Sequence, residues 1–411
     1  MPGHGINPLL AILADDLTGA ADTAAGMLAA ARPWVTWRRS DGTVTWQDED
    51  RIVAIDAATR QVTAAEAANR IRALAALFRS AGFAHLYKKV DSTLRGHIGV
   101  EVKAALDGWR HASLAVVAPA FPAMGRTTVD GLQRVGDLAL DCLPLAEMLT
   151  SAGVPAAGVS LADVRSGRDR LDRLFQAHAD RGIGAVVCDA ITDADLAEIA
   201  AAGTALGERV VWVGSGGLAR RLFARTALSS EPLRTSDTAP SGPVLVVSGS
   251  LAPGNAVQAS RVSAAGAVPV IVSVEELSGG TSAPESAREI ERHLRAGADV
   301  VVTIGSRQEA ATTAADATLV DRLGLMLEPC GALIGGVVAT GGDTAAALLE
   351  HWGIGGLRLI GEVETGVPIG LAIGPKPLIV ALKAGGFGHD GTLALARDAV
   401  RSLTLGCRPA S

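Results

Sequence analysis

The sequence predicts an α/β protein of two α/β domains, each with a mostly parallel sheet flanked by helices, and a ligand cleft between them. Three observations carry that reading. Short apolar runs alternate with longer stretches of helical periodicity, the pattern of βα units around a parallel sheet. The 411 residues exceed what one hydrophobic core ordinarily supports. A proline-punctuated polar segment, 229–243, interrupts the alternation where few residues could enter a core, so it reads as the linker. The domains are set at 1–234 and 235–411.

In the first domain, 8–14, 51–55, 84–88 and 114–117 are apolar runs bounded by turn residues and read as strands. Between them, 20–31, 64–80 and 98–109 have the apolar spacing of helices, and 183–188 and 209–213 continue the strand series. In the second domain, 244–247, 268–272, 300–304, 333–339 and 378–382 are strands, with 284–296 and 308–325 as amphipathic helices. The abundant alanine fits helix propensity and close helix–sheet packing.

Hydrophobic residues make up 48% of the chain, charged residues 19% and aromatic residues 3%, so the core is built from Ala, Val, Leu and Ile. A net charge of -6 gives no basic footprint for nucleic acid. Cys142, Cys188, Cys330 and Cys407 are scattered without metal-ligand or disulfide-framework spacing, which fits a reducing compartment, the cytoplasm. The N-terminus lacks a basic signal region, and no apolar window reaches the roughly 18 residues of a membrane span. The expected partners are therefore small molecules, with no nucleic acid and no membrane; homo-oligomerisation stays open.

In open α/β sheets, ligands gather beyond the carboxyl ends of strands. Two glycine-rich turns follow apolar runs, Ala339-Thr340-Gly341-Gly342-Asp343-Thr344 and Lys383-Ala384-Gly385-Gly386-Phe387-Gly388. Glycine lets backbone approach a ligand closely, and free N–H groups at a helix start suit phosphate. The pair points to a nucleotide, held without a P-loop because the Walker sequence is absent. Asp343 caps the following helix, holds Mg²⁺ through water, or takes a proton from an attacking hydroxyl. Val247-Ser248-Gly249-Ser250 is a further strand-end turn.

The first domain carries polar clusters instead. Asp15 and Asp16 precede a helix; one Asp suffices for capping, so the second points to hydroxyl binding or proton abstraction. Asp91-Ser92-Thr93-Leu94-Arg95-Gly96 gathers hydroxyls with a guanidinium suited to a bidentate grip on a carboxylate. Lys88 and Lys89 precede it on opposite faces of a strand, so one of them must be satisfied next to the core. Arg126, after a proline-rich turn, offers a second positive charge or is plain turn chemistry. Gly214-Ser215-Gly216-Gly217-Leu218 reads as a helix-entry turn. His97 and His389 lack metal-ligand spacing, and no metal ligand is assigned.

Together these segments resemble the four-carbon acid sugar kinase family, long known only as a domain of unknown function. The resemblance runs over nearly the whole chain: Ala14-Asp15-Asp16-Leu17-Thr18-Gly19-Ala20, Lys88 to Gly96, Ala118-Pro119-Ala120-Phe121-Pro122, Gly214 to Leu218, Val247 to Ser250 and both glycine turns. It implies an ATP-dependent kinase placing phosphate on the terminal hydroxyl of D-threonate, D-erythronate or a 3-oxo-tetronate. By motif match, the acid sits near Asp15, Asp16, Lys88, Asp91, Ser92, Thr93, Arg95 and Gly96. ATP, with Mg²⁺, meets Ser248, Ser250, Gly341, Gly342, Asp343, Thr344, Gly385 and Gly386. After Ser250 the chain has Leu251-Ala252-Pro253 where the family often has a further hydroxyl or Cys-Ser pair, so phosphate contact there rests on the two serines and backbone N–H groups. Segment 128–145 is also less typical. Asp16 is the expected general base and Asp343 its competitor, in domains that close on the ligands. The rival readings are an NAD-dependent sugar-acid dehydrogenase, for which a full dinucleotide fingerprint is missing, and a non-catalytic sugar-acid-binding protein.

Overall fold

A computed structural model describes residues 9–39, 41–110, 114–222, 240–249, 253–278, 284–305 and 317–405. The chain divides into two units, Met1–Ser230 and Glu231–Ser411. Most of the proline-punctuated segment, together with Ser250 and the first part of the helix expected at 308–325, lies outside the described residues.

The strands of the first unit are β1 (Leu10–Ala14), β2 (Trp34–Trp37), β3 (Ile52–Asp56), β4 (His85–Lys89), β5 (Leu114–Ala118), β6 (Arg126–Val129), β7 (Leu132–Val135), β8 (Leu138–Ala139), β9 (Ala156–Val159), β10 (Ala185–Cys188) and β11 (Val210–Gly214). Eight of them pair in the order β2-β3-β1-β4-β11-β5-β10-β9, every pairing parallel. Such strands are buried on both faces, which is why Leu10–Ala14 and Leu114–Ala118 are continuous apolar runs. The early chain places β2 and β3 on one side of β1 and β4 on the other. The loops after β1 and β4 therefore diverge at a topological switch point, where ligands collect in open sheets.

Helices α1 (Leu17–Ala25), α2 (Ala64–Ser80) and α3 (Ile98–Trp109) follow β1, β3 and β4. Helix α1 starts earlier than the periodicity of 20–31 predicts, because Asp16 caps it by accepting the Gly19 N–H, and it ends in a turn at Gly26. Its small residues let every position be buried. One face of the sheet packs Val53, Ile55, Leu86 and Val117 against Ile71, Phe78, Val102 and Trp109 of α2 and α3.

The segment after Pro122 is not a plain turn. Strands β6, β7 and β8 form a separate antiparallel sheet, anchored at Asp189, whose carboxylate accepts the N–H groups of Asp130 and Gly131 at 2.9 Å each.

The second unit has β12 (Val244–Ser248), β13 (Val268–Ser273), β14 (Val300–Gly305), β15 (Gly336–Thr340), β16 (Gly356–Glu362), β17 (Pro368–Ile373) and β18 (Leu378–Lys383), ordered β13-β14-β12-β15-β18-β17-β16. The first five of that order are parallel; β17 and β16 pair antiparallel, and neither was expected. Strand β15 begins later than the 333–339 run: Leu333 caps the 3-10 turn Glu328–Ala332, and pairing with β12 starts only at Gly336. Val246, Val338 and Ala381 pack against Val262, Leu393 and Val400 in this unit's core. Among the described residues no helix is long and apolar enough to cross a membrane.

Candidate functional site

The polar clusters of the first unit converge because β3, β1 and β4 are adjacent and parallel, so their carboxyl ends share one edge. Asp15 and Asp16 leave β1, Arg60 lies just past β3, and Lys89 ends β4 ahead of the Asp91–Gly96 loop. Arg60 was not singled out from sequence, although it obeys the same strand-end rule. Its Nε donates to Asp15 Oδ2 at 2.8 Å and its Nη1 to Asp16 Oδ2 at 2.7 Å. Asp16 also accepts the Gly19 N–H at 2.8 Å and the Thr18 hydroxyl at 3.0 Å, so the residue combines capping with an ion pair. Asp15 is 4% exposed, and its second oxygen, Oδ1, is buried with no hydrogen-bond partner among the described residues.

Asp91 organises its own loop. Arg95 donates to it through Nε at 2.5 Å and Nη2 at 3.2 Å, and Thr93 Oγ1 adds a bond of 2.6 Å. Leu94 and Gly96 both take positive φ, +58° and +88°, so the chain folds back tightly. A Cβ on Gly96 would stand 3.3 Å from Asp15 Oδ2, which draws this loop up to the β1 carboxylates. Gln133 of β7 fixes the loop from outside by donating to the Ser92 carbonyl at 2.8 Å while accepting the Thr128 hydroxyl.

Burial opposes ionisation of Asp15, but Arg60, Lys89 and Lys88 outweigh it and hold the carboxyl below its usual range. Asp91 is likewise held well below its usual range against burial, by its Arg95 bonds and by Lys89. The site therefore presents ionised carboxylates with matched cations.

The two lysines part as the strand alternation requires. Lys88 is fully buried, pairing with Glu101 at 2.7 Å and donating to the carbonyls of Lys89 and Leu13. Lys88, expected at the acid from the motif, thus has its donors engaged inside the unit, whereas no hydrogen bond or ion pair of the Lys89 ammonium is found among the described residues. Lys89 lies over Gly19, where a Cβ would come within 2.9 Å of its Nζ. Arg126 turns back on the Met124 carbonyl.

In the second unit, β12, β15 and β18 are adjacent, and Ser248, Thr340 and Lys383 stand in one register row. The turns that follow are thereby side by side. Gly341, at φ +98°, is the N-cap of helix Gly342–His351, so Asp343 lies in the first turn and does not serve as the cap. A Cβ on Gly249 would meet Thr344 Oγ1 at 2.2 Å, so the Ser248 turn rests on that threonine. Gly386 has open space above it. Lys383 is buried, and its ammonium reaches Asn255 Oδ1 at 3.1 Å and the carbonyls of Ala384, Gly385 and Phe387 at 2.8–3.3 Å. It ties down the second glycine turn. His389 pairs with Glu364 at 3.2 Å. Among the described residues, no cluster of three His, Cys, Asp or Glu side chains forms a ready metal cage.

A parallel α/β unit with balanced carboxylates and cations, and another with glycine turns at a helix start, define a two-domain enzyme acting on a small anion with a nucleotide. The family described as a sugar-binding N-terminal domain matches residues 10–222, and that described as a nucleotide-binding C-terminal domain matches residues 245–393. A D-threonate kinase of Cupriavidus necator is 37% identical over 75% of this chain and 78% of its own length. One from Bordetella bronchiseptica is 34% identical over 96% and 98%, and a 3-oxo-tetronate kinase of Methylobacterium radiotolerans is 31% identical over 78% and 82%. The crystal structure of Haemophilus influenzae HI1011 shares the fold, with a TM-score of 0.70 at 20% identity over 94% of this chain and 99% of the other.

The chain belongs to the four-carbon acid sugar kinase family, and it is a carbohydrate kinase that uses ATP. The dehydrogenase alternative gives way on the same ground, and Gly216–Ala219 is a short helix capped by Ser215, as a helix-entry turn requires.

Proposed function

We propose that the protein transfers the γ-phosphate of ATP to the terminal hydroxyl of a four-carbon sugar acid, giving the 4-phosphate, with D-threonate the first acid to test. The reading is carried by the gathering of Asp15, Asp16, Arg60, Lys89, Asp91 and Arg95 at adjoining strand ends. Three carboxylates can accept hydroxyl protons, and cations beside them can take a single carboxylate. D-threonate kinases among the relatives support that acid, and 3-oxo-tetronate kinases among them keep the oxo acids in the panel with D-erythronate.

In this reading the Asp91–Gly96 loop orients the acid, and Ser248, Ser250 and the turns at Gly341 to Thr344 and at Gly385 and Gly386 receive the phosphates. Backbone N–H groups aimed at developing charge are the main protein contribution to phosphoryl transfer. Asp16 receives the hydroxyl proton, with Asp343 as its competitor; the bare Oδ1 of Asp15 makes that neighbour a third contender. Mg²⁺ takes one or two carboxylates alongside phosphate oxygens, and Asp343, exposed in the first helical turn, is a carboxylate of that kind. When bound, the ion neutralises charge on the transferring phosphoryl group. The cytoplasm, where ATP is available, is the proposed location.

A coupled ADP-release assay over D-threonate, D-erythronate and 3-oxo-tetronates, with Asp15→Asn, Asp16→Asn and Asp343→Asn beside the wild type, tests the reading. The expected result is acid-dependent ADP release and a 4-phosphate product, with the base variant losing turnover under saturating ligands. ADP release with none of these acids rejects it.

A further inference from the structure

Lys383 is a fully buried cation held without a counter-ion among the described residues. Glu364 acts on it only at longer range and is itself engaged by Thr392 and His389. Four neutral oxygens surround the ammonium instead: Asn255 Oδ1 at 3.1 Å, and the carbonyls of Phe387 at 2.8 Å, Ala384 at 3.0 Å and Gly385 at 3.3 Å. A shell of carbonyl oxygens is how ion channels hold a dehydrated monovalent cation. A peptide unit is planar and trans, so a carbonyl aimed at the ammonium sends the N–H of the next residue the other way. The N–H groups so turned belong to Gly385, Gly386 and Gly388, and none of them makes a hydrogen bond among the described residues. Gly386 and Gly388 are exposed, and Gly388 takes φ +85°, which fits a turn presenting successive N–H groups to an anion. Asn255 adds a second link, because it lies on the helix Pro253–Ala264 that follows the Ser248 turn.

We propose that the Lys383 ammonium serves as a built-in monovalent cation, whose carbonyl shell aims the Gly385, Gly386 and Gly388 N–H groups at a phosphate of ATP. Lys383 is thus a positioning residue that touches no ligand, and Asn255 extends its hold to the helix behind the Ser248 turn. The inference rests on the proposed seat of the phosphates at the second glycine turn. Charge favours this role over packing. Neutral oxygens leave the positive charge uncancelled, and an anion on the far side of the turn is what that charge attracts. A side chain kept for packing alone would be served as well by an apolar residue.

Lys383→Ala empties the shell, whereas Lys383→Met fills it without charge. ATP affinity of both variants and of the wild type is read by calorimetric titration below about pH 8, where the native lysine is charged, in tetramethylammonium, ammonium or potassium chloride at equal ionic strength. In tetramethylammonium chloride, Lys383→Ala should bind ATP about 10- to 100-fold more weakly, the size of one lost charged hydrogen bond. Ammonium or potassium ions should recover most of that loss in Lys383→Ala and change neither Lys383→Met nor the wild type, while KM for the acid holds throughout. Undiminished ATP affinity in Lys383→Ala, a loss that no small cation recovers, or an equal recovery in Lys383→Met overturns the assignment. Gly341→Ala, titrated alongside, separates this failure from that of the nucleotide reading. If Lys383→Ala alone binds ATP normally, only the role of the lysine falls; if both do, the proposed phosphate seat falls with it. Should Lys383→Ala not fold, Asn255→Leu takes its place. It deletes one oxygen of the shell and should weaken ATP several-fold with KM for the acid unchanged, and wild-type ATP affinity in that variant overturns the proposal.

Discussion

Lys88 and Lys89 are neighbours in sequence with opposite physical situations. Lys88 forms a buried pair with Glu101, both side chains essentially inaccessible. Removing one member of such a pair leaves the other charge desolvated, at a cost of about 3–5 kcal/mol, whereas replacing both by apolar groups is often neutral. Lys88→Met should therefore lower the urea midpoint sharply, and Lys88→Met with Glu101→Leu should recover most of the loss. A double variant as unstable as the single one would show that the pair contributes more than mutual neutralisation. The motif alone could not assign these roles. Strand alternation says that one lysine faces the core, but the partner that decides which, Glu101, sits on α3 beyond the loop. Arg60 was missed for a related reason: its two carboxylate partners lie more than forty positions upstream, at |i−j| of 45 and 44.

At the scale of elements, two loops owe their shape to single buried side chains. The Asp91–Gly96 loop is held through the Ser92 carbonyl by Gln133, on a strand of the small antiparallel sheet. Gln133→Leu leaves that carbonyl and the Thr128 hydroxyl unpaired, which costs about 1–3 kcal/mol each when buried. It should raise KM for the acid several-fold and leave KM for ATP unchanged in steady-state assays. The second glycine turn depends on the Lys383 ammonium. Burial pulls Lys383 down from 10.5 to about 8, with Glu364 pulling the other way. A base whose folded value is depressed destabilises the fold below that value, so stability should rise as pH climbs from about 8 toward 10.5. Over the same window the turn loses charged donors, so KM for ATP should increase. Both trends, read from urea midpoints and initial rates, should be flat in Lys383→Met. Most parallel strands were legible because burial on both faces leaves uninterrupted apolar runs, as in Leu114–Ala118. Strands β6, β7 and β8 were not, since they are short, polar and partly exposed, and their pairing depends on the distant Asp189. Strands β16 and β17, with glycines inside them, gave no clean alternation either.

For the whole molecule, the consequential claim is the division of labour between the units, one taking the acid and the other the nucleotide. Each carries its own core and its own row of strand ends, so the two binding functions should be separable by mutation. Gly341 has φ +98° and ψ 134°, outside the left-handed helical well and a conformation that costs an L-residue about 1–3 kcal/mol, and it opens the helix whose N–H groups are proposed to meet phosphate. Gly341→Ala should weaken ATP binding in calorimetric titrations while D-threonate binds as to the wild type. Asp91→Asn should do the reverse, because it weakens the Arg95 fork and the Thr93 bond that shape the acid loop. Titrating each variant with each ligand alone gives four affinities, of which two should fall and two should hold. If Gly341→Ala weakens the acid as much as the nucleotide, or Asp91→Asn weakens ATP equally, the ligands are not assigned to separate units and the proposed division fails.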